Sequence, residues 1–436
     1  MNSIWTENID LPHFQSLEGS QKTDVLIIGG GMAGILCAHF LREKGVDYAL
    51  VERQTICSGV TEDTTAKITA LHGLKYHKLL RHAGEEKAKL YLEANQNAVQ
   101  TYAKLCKNMD CDFEIKTAYV YSIDQRQKIE REIDALRKIG YNAVFSQAQE
   151  LPIQTAGAIG FENQAQFHPL KFISKIVQGL NLYEHTFVKE FGDHIAVTEK
   201  GDISFQKLIF ATHFPIDNKH GMYFLKMYQH RSYVIALENA AKVRGMYVDE
   251  AKTGLSFRNY KNTLLLGGGA HRTGKSGGNW QELRKAAGMY YPGAKETYAW
   301  AAQDCMTLDG IPYIGAYSKH MPDCYVATGF NKWGMTSSMV AAEMLSDLVL
   351  EKESPYTELF SPSRSMLHLQ LLCNGWEALA GLLTFSKKRC PHLGCALKWN
   401  QAEHSWDCSC HGSRFDENGA LIDNPANGDL KIADGQ

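Results

Sequence analysis

The first regular signal along the chain is a short unbroken apolar run, Val25-Leu26-Ile27-Ile28, that stops at three glycines. A run without polar alternation suits a strand buried on both faces, as in a parallel sheet. A helical stretch over 35–44, closed by Gly45, leads to a second such run, Tyr48-Ala49-Leu50-Val51, which ends at Glu52. Between 77 and 109, Leu79, Leu80, Ala83, Ala88, Leu90, Leu92, Ala98 and Tyr102 recur at helical spacing and predict one long or two shorter amphipathic helices. A strand over 118–123 and a charged helix over 127–138 follow. Pro169 suits the first turn of a further helix, with His168 before it as a cap or packing residue. Residues 185–211 read as hairpin strands and then a buried strand over 207–212. The span 223–268 is dense in β-branched and aromatic residues and predicts a mixed or antiparallel sheet. A strand over 325–328 and a helix from about 334 to 350 come next. The pattern makes 1–20 an irregular arm, 354–365 a linker rich in Ser and Pro, and 376–385 a short apolar helix.

Composition narrows the class. The chain has 436 residues, 44% hydrophobic and 22% charged, which fits a globular protein of two or three domains. A net charge of −2 gives no reason to expect a nucleic acid or an anionic membrane as partner. No apolar stretch approaches the roughly 18 residues that would span a bilayer. The opening residues lack a basic-then-apolar leader, so the expected compartment is the cytoplasm. Eleven cysteines, seven of them scattered, do not make a secreted disulfide framework.

Chemistry enters at the glycines. Gly29, Gly31 and Gly34 fit G-x-G-x-x-G between a strand and a helix, and Glu52 closes the unit. In that setting the glycines let backbone approach a pyrophosphate at a helix N-terminus, and the acid accepts from a ribose. The stretch 57–67 is rich in small and hydroxyl side chains, suited to winding past a bound phosphate and ring. Glycines also precede the helix near 334, where a helix N-terminus can stabilise the negative charge of a reduced flavin.

The C-terminal fifty residues hold the sharpest pattern. Cys390-Pro391-His392 and, with 15 residues between His392 and Cys408, Cys408-Ser409-Cys410-His411 give C-x-H and then C-x-x-H. Two thiolates, Cys390 and Cys408, with two imidazoles, His392 and His411, suit a Rieske [2Fe–2S] centre. A structural zinc site uses the same ligand types, but it favours Cys–Cys and His–His pairs rather than mixed ones.

CPHLGC followed by CSCHGSRF resembles the two cluster-binding loops of Rieske proteins. The resemblance implies a disulfide between the remaining loop cysteines, Cys395 and Cys410. GGGMAG with Glu52, the TTAK segment, Phe210-Ala211-Thr212, DGIPYIG and GFNKWGMT together resemble the FAD-dependent oxidoreductases of the D-amino-acid oxidase and glycine oxidase family. That likeness implies an α/β fold with a Rossmann-type FAD-binding domain, a mixed or antiparallel substrate domain and a small all-β Rieske-like module. It puts the FAD domain at 1–75, 155–215 and 300–352, the substrate domain at 76–154 and 216–299, a linker and short helix at 353–385, and the iron–sulfur module at 386–436. It implies Val188 near the adenine; Thr64, Thr65 and Ala66 along the pyrophosphate and ring; Gly334, Met335 and Thr336 facing the flavin; and Ala211, Thr212, Gly310 and Gly329 within the cofactor site.

Two departures from the family matter. No arginine precedes the D-G-x-P motif; Asp304 stands there and would repel a substrate carboxylate. Arg258, Arg272 or Lys67 could restore the positive charge. The iron–sulfur module is also short, with little core of its own, and is expected to lean on the flavin domain or a second subunit. His271 is the candidate general base, and Lys67 a candidate for stabilising reduced flavin or activating oxygen. The sequence thus points to oxidation of a small amine or related substrate by hydride transfer to FAD, with electrons exchanged through the cluster and a donor or acceptor protein. An O2-using oxidase with a structural metal site and a non-catalytic redox sensor are the rival readings; oligomerisation stays open.

Overall fold

The computed structural model describes residues 3–218, 220–251 and 254–430. Residues 1, 2 and 431–436, at the ends of the expected FAD domain and iron–sulfur module, and 219, 252 and 253, in the expected substrate domain, lie outside the described residues.

The two apolar runs at the front become the strands Gln21–Ile28 and Tyr48–Val51, joined by the helix Met32–Glu43. They pair in parallel, Val25 with Tyr48 through Ile28 with Val51. The strand Asp202–Phe210 lies parallel on the other side of Gln21–Ile28. Leu182–Tyr183 extends one edge, and the pair Tyr313–Ser318 and Met321–Thr328 the other. Leu26, Ile27, Leu50, Leu208 and Phe210 are fully buried, as the absence of alternation in these runs requires. The helices Met32–Glu43 and Gly334–Leu348 pack together on this sheet.

A second, nine-stranded sheet runs in the order Lys295–Thr307, Met227–Glu238, Thr263–Arg272, Ser256–Tyr260, Met246–Asp249, Glu114–Ser122, Gly157–Gln166 and Lys67–Ile68, with Val144–Ser146 added on Gly157–Gln166. It is mixed, since Met246–Asp249 pairs parallel to Glu114–Ser122 within otherwise antiparallel neighbours. The long amphipathic span is two helices, Tyr76–Ala83 and Glu85–Cys106, broken at Gly84, whose φ of 89° ends the first. His168 caps the helix Pro169–Ile176 by accepting from Lys171 N at 3.2 Å.

Neither flanking segment is slack. Trp5 in the N-terminal arm is fully buried and donates to Thr64 O at 2.6 Å. In the expected linker, Leu359 and Phe360 are buried, and Arg364 grips both oxygens of Asp309 at 2.6 and 2.8 Å. The expected short helix spans Leu369–Leu383.

The C-terminal module is a four-stranded antiparallel sheet, Leu397–Asn400, Ser405–Cys408, Arg414–Phe415 and Leu421–Asp423. Its buried apolar cluster is Cys390, Cys395, Leu397, Cys408, Cys410, Phe415 and Ala426, four of them cysteines. So small a core stabilises little by itself, and the module is fastened to the second sheet by buried ions. Glu403 accepts from Arg231 of the strand Met227–Glu238 and from Arg414 Nη2 at 2.8 Å, with Tyr233 OH donating at 2.8 Å. Arg414 also reaches Asp407 at 3.1 Å and Asp423 at 3.0 Å. Gly412 lies so close to Gln229 that a Cβ there would sit 2.5 Å from the Gln229 Cβ. Asn424 Nδ2 donates to Thr212 O and Phe214 O, each at 2.8 Å.

Burial alone would raise the Glu403 carboxyl, but Arg231 and Arg414 hold it at about 2. Removing it leaves Arg231 with Asp423 at 4.0 Å while Arg414 keeps Asp407 and Asp423, and a buried guanidinium that loses its close partner costs about 3–5 kcal/mol. Glu403→Ala is therefore expected to lower the denaturation midpoint strongly, with the module released first, as followed by tryptophan fluorescence. Since the folded pKa lies below the unfolded value of about 4.3, the stabilisation is complete above that pH and fades as pH falls towards 2. An unchanged midpoint in the variant would contradict this role.

Candidate active site

The helix Met32–Glu43 begins with Gly31 as its N-cap, which has no side chain to cap it, and Thr61 Oγ1 accepts from Met32 N at 3.1 Å. Such an end is an anion site. Gly34 lets the helix press on the strand: a Cβ there would lie 1.9 Å from Gly29 O. Glu52 turns back to the glycine turn, taking Gly30 N at 2.7 Å and Gln54 N at 2.9 Å on its two oxygens. From this turn opens a cavity of about 1390 Å³. That exceeds the roughly 300–1,000 Å³ of an ordinary small-molecule site and leaves room for a dinucleotide with a substrate beside it.

Most of the residues singled out from sequence meet here. Gly29, Gly31 and Glu52 line the cavity at one end, with Val188, Ala211 and Thr212 beside them. Thr64, Thr65 and Lys67 line it further along, facing Gly310, Gly334 and Met335. Burial, reinforced by the charge of Arg258, pulls the Lys67 amine down to about 7.

Others stand behind the wall. Gly34 and Gly329 serve packing; a Cβ on Gly329 would lie 2.3 Å from Thr307 Cγ2. Thr336 is buried and donates to Thr69 O at 3.2 Å. Arg258 is fully buried, and its Nη1 donates to Thr65 O at 2.6 Å and Ala66 O at 2.8 Å while its guanidinium lies over Trp5. It shapes the turn containing Ala66 and lies outside the cavity lining. His271 also falls outside the lining: its ring lies parallel to Tyr233 at 5.6 Å. Arg272 clamps the second cysteine loop, donating to Ser409 O at 3.0 Å and Cys410 O at 2.9 Å. Of the three proposed cations, only Lys67 reaches the cavity.

The sequence reading missed several lining residues because no local motif marks them. His72 is buried, stacks on Trp333 at 4.8 Å and accepts from Tyr91 OH at 2.6 Å, while its Nε2 donates to Thr69 O at 2.7 Å. Burial, then the neighbouring Lys75, keeps its pKa well below the ordinary range, so the ring is neutral. An acidic side comprises Asp63, Asp304 and Asp423, with His213 among them. Burial raises Asp63 to about 7 and lifts Asp304 above the usual carboxylate range. The arginines nearby, Arg231 and Arg414, are already bound by Glu403, Asp407 and Asp423.

The C-terminal loops bring Cys390, Cys408, His392 and His411 together. Both thiols are buried; their closeness draws Cys390 below the ordinary thiol range and holds Cys408 above it. The two imidazole rings lie 5.0 Å apart, nearly perpendicular. Asn218 Oδ1 meets His392 Nε2 at 2.7 Å, and His411 Nδ1 is buried with no hydrogen-bond partner. A buried ring nitrogen with nothing to bind is what a metal ligand looks like before the metal is placed. Cys395 and Cys410 form a disulfide, and Cys408 Sγ lies within 4.8 Å of both its sulfurs. That bond takes the second cysteine of each loop out of the ligand set, leaving two thiols and two imidazoles, which fit a Rieske cluster.

An open glycine turn on a two-sheet fold, joined to a cysteine–histidine loop pair, defines a flavoprotein oxidoreductase with an iron–sulfur module. The family model for FAD dependent oxidoreductases, DAO, matches residues 24–348, and that for the Rieske [2Fe-2S] domain matches 376–434. The chain belongs to the DAO family of FAD-dependent oxidoreductases, with FAD and a [2Fe–2S] cluster as its cofactors. The putative Rieske 2Fe-2S iron-sulfur protein YhfW of Bacillus subtilis strain 168 is 35% identical over 495 aligned positions, covering 99% of this chain and 97% of that protein. Among solved structures, L-proline dehydrogenase from P. horikoshii is similar with a TM-score of 0.67 at 18% identity, over 80% of this chain and 98% of its own. Glycine oxidase from Geobacillus kaustophilus gives 0.64 at 20%, over 79% and 99%. At these identities the two structures speak for the fold. Among the described residues, no helix is long and apolar enough to cross a membrane.

Two substitutions separate the centres. Gly34→Ala is expected to abolish FAD retention, read as loss of flavin absorbance in the purified protein, while the iron content stays. Cys408→Ser is expected to do the reverse, and flavin loss from that variant would argue against separate sites.

Proposed function

We propose that this enzyme is a dehydrogenase for a small amine and that its electrons leave through the iron–sulfur site of the same chain towards a protein or small-molecule acceptor. Bound FAD would supply a two-electron acceptor, and the cluster a one-electron relay. The observation that carries the reading is the shared cavity. Gly29 and Glu52 line it together with Arg414, Asp423 and Asn424 of the C-terminal module, and Asn424 Nδ2 donates to Thr212 O beside the glycine turn at 2.8 Å. Gln229 lies between Tyr228 and His230, both in the wall, and donates its amide to His411 O at 3.1 Å and Asn424 O at 2.7 Å. Gln303, also in the wall, donates to Gly412 O at 2.9 Å. A module built only as a structural knot has no need of such a join.

The substrate class follows from charge. Asp63, Asp304 and Asp423 face the cavity; Asp423 is paired with Arg414, and Lys332, also in the wall, is the main positive charge acting on Asp304. An ammonium group is favoured there, and a carboxylate is repelled. Asp304 would hold the amine. Lys67, at about 7, exchanges a proton near neutral pH and is placed to act as acid or base. His72, neutral and locked by Tyr91 and Thr69, fixes the Trp333 wall.

The test is anaerobic. Adding an amine substrate to the purified protein should bleach the flavin bands and raise the reduced-cluster EPR signal with no other protein present. Asp304→Asn should raise KM about tenfold, roughly 1.4 kcal/mol, with the flavin spectrum unchanged. Stoichiometric hydrogen peroxide in air with a silent cluster would favour the oxidase instead.

A further inference from the structure

The helix Leu369–Leu383 is built inside out. It buries Asn374 and Gly381 and turns Leu369, Leu372, Trp376, Leu379 and Leu383 outward, exposed by 83, 71, 70, 48 and 77%. Their spacing of three, four, three and four residues makes one continuous stripe along the helix. Phe385, just beyond, is 91% exposed. A stripe of this size marks a surface that something covers.

We propose that it docks on an anionic lipid membrane. Fifteen residues make about 22 Å of helix, short of the roughly 30 Å apolar core of a bilayer, so the helix lies in the surface rather than across it. Charge decides the occupant. Residues 369–402 carry Lys387, Lys388, Arg389 and Lys398 against Glu377 alone, and Glu377 is taken by Lys275 at 2.6 Å. Arg389 is tied to the end of the helix through Leu382 O at 3.0 Å and Thr384 O at 2.8 Å, so the basic rim holds its place beside the apolar stripe. A second copy would bring the same basic residues and the same single acid of this stretch, Glu377; anionic headgroups match the basic rim. The whole-chain charge of −2 hides this local excess. On its inner side the helix rests on the cysteine loops: Cys410 Sγ lies 3.7 Å from Glu377 O, and a Cβ on Gly381 would lie 2.4 Å from that sulfur. Docking therefore sets the iron–sulfur loops about one helix diameter, roughly 10 Å, from the lipid.

The test is flotation of the holoprotein with phosphatidylcholine vesicles, with and without phosphatidylglycerol. We expect flotation with the anionic vesicles only, weakening as salt rises. Leu372→Glu/Leu379→Glu should stay unbound while keeping its flavin and iron–sulfur absorbance. Lys387→Gln/Lys388→Gln should bind about 25-fold more weakly, about fivefold per lysine. Failure to float with anionic vesicles would overturn the proposal; if sedimentation then showed a dimer that the double glutamate variant splits, the face would belong to a second copy. Equal, salt-insensitive binding to both vesicles would also overturn the anionic specificity.

Discussion

Glu403 carries the architecture. Its carboxylate is buried between Arg231, on a strand of the substrate-side sheet, and Arg414, in the C-terminal module. A buried ion of this kind is a poor source of net stability but a strict geometric constraint, because Arg231 loses its close partner without it. The module has four strands and a core made largely of cysteines. Glu403 and the Gln229 contacts fix its orientation together with Arg272 on the second cysteine loop and Asn424 on Thr212 and Phe214. With them, the histidine loops, the strand Met227–Glu238 and the flavin cavity form one object.

That arrangement explains the division of labour around the cavity. The wall offers N–H groups and a hydroxyl-rich turn, which suit phosphate, and the carboxylates Asp63, Asp304 and Asp423. Its shape comes from residues outside the lining: Arg258 behind Ala66, Arg364 holding Asp309, Trp5 under Thr64.

What the sequence made legible was whatever chemistry demands at fixed local spacing. Gly29, Gly31, Gly34 and Glu52 belong to one turn, and Cys390, His392, Cys408 and His411 to two loops, so their roles show in a linear reading. Arg258 and His271 could not be judged this way. A lone cation or imidazole on a strand points to one face or the other according to register, and only the folded sheet shows that Arg258 supports a turn and His271 stacks on Tyr233. His72, His213 and Asp423 were invisible for a related reason: their partners lie far along the chain, as Thr336 does from His72. The Ser and Pro of the expected linker gave no hint of Arg364 closing on Asp309.

The contact between Gly412 and Gln229 has a consequence for descent. The C-terminal fifty residues are fitted to the sheet they rest on. A donor module from another protein would need glycine at that point, a carboxylate opposite Arg231 and backbone carbonyls within reach of Gln229 and Gln303, all at once. Recombination at the junction would break these matches together, so changes on the two sides are expected to accumulate in step, position by paired position, and the two halves to share one lineage.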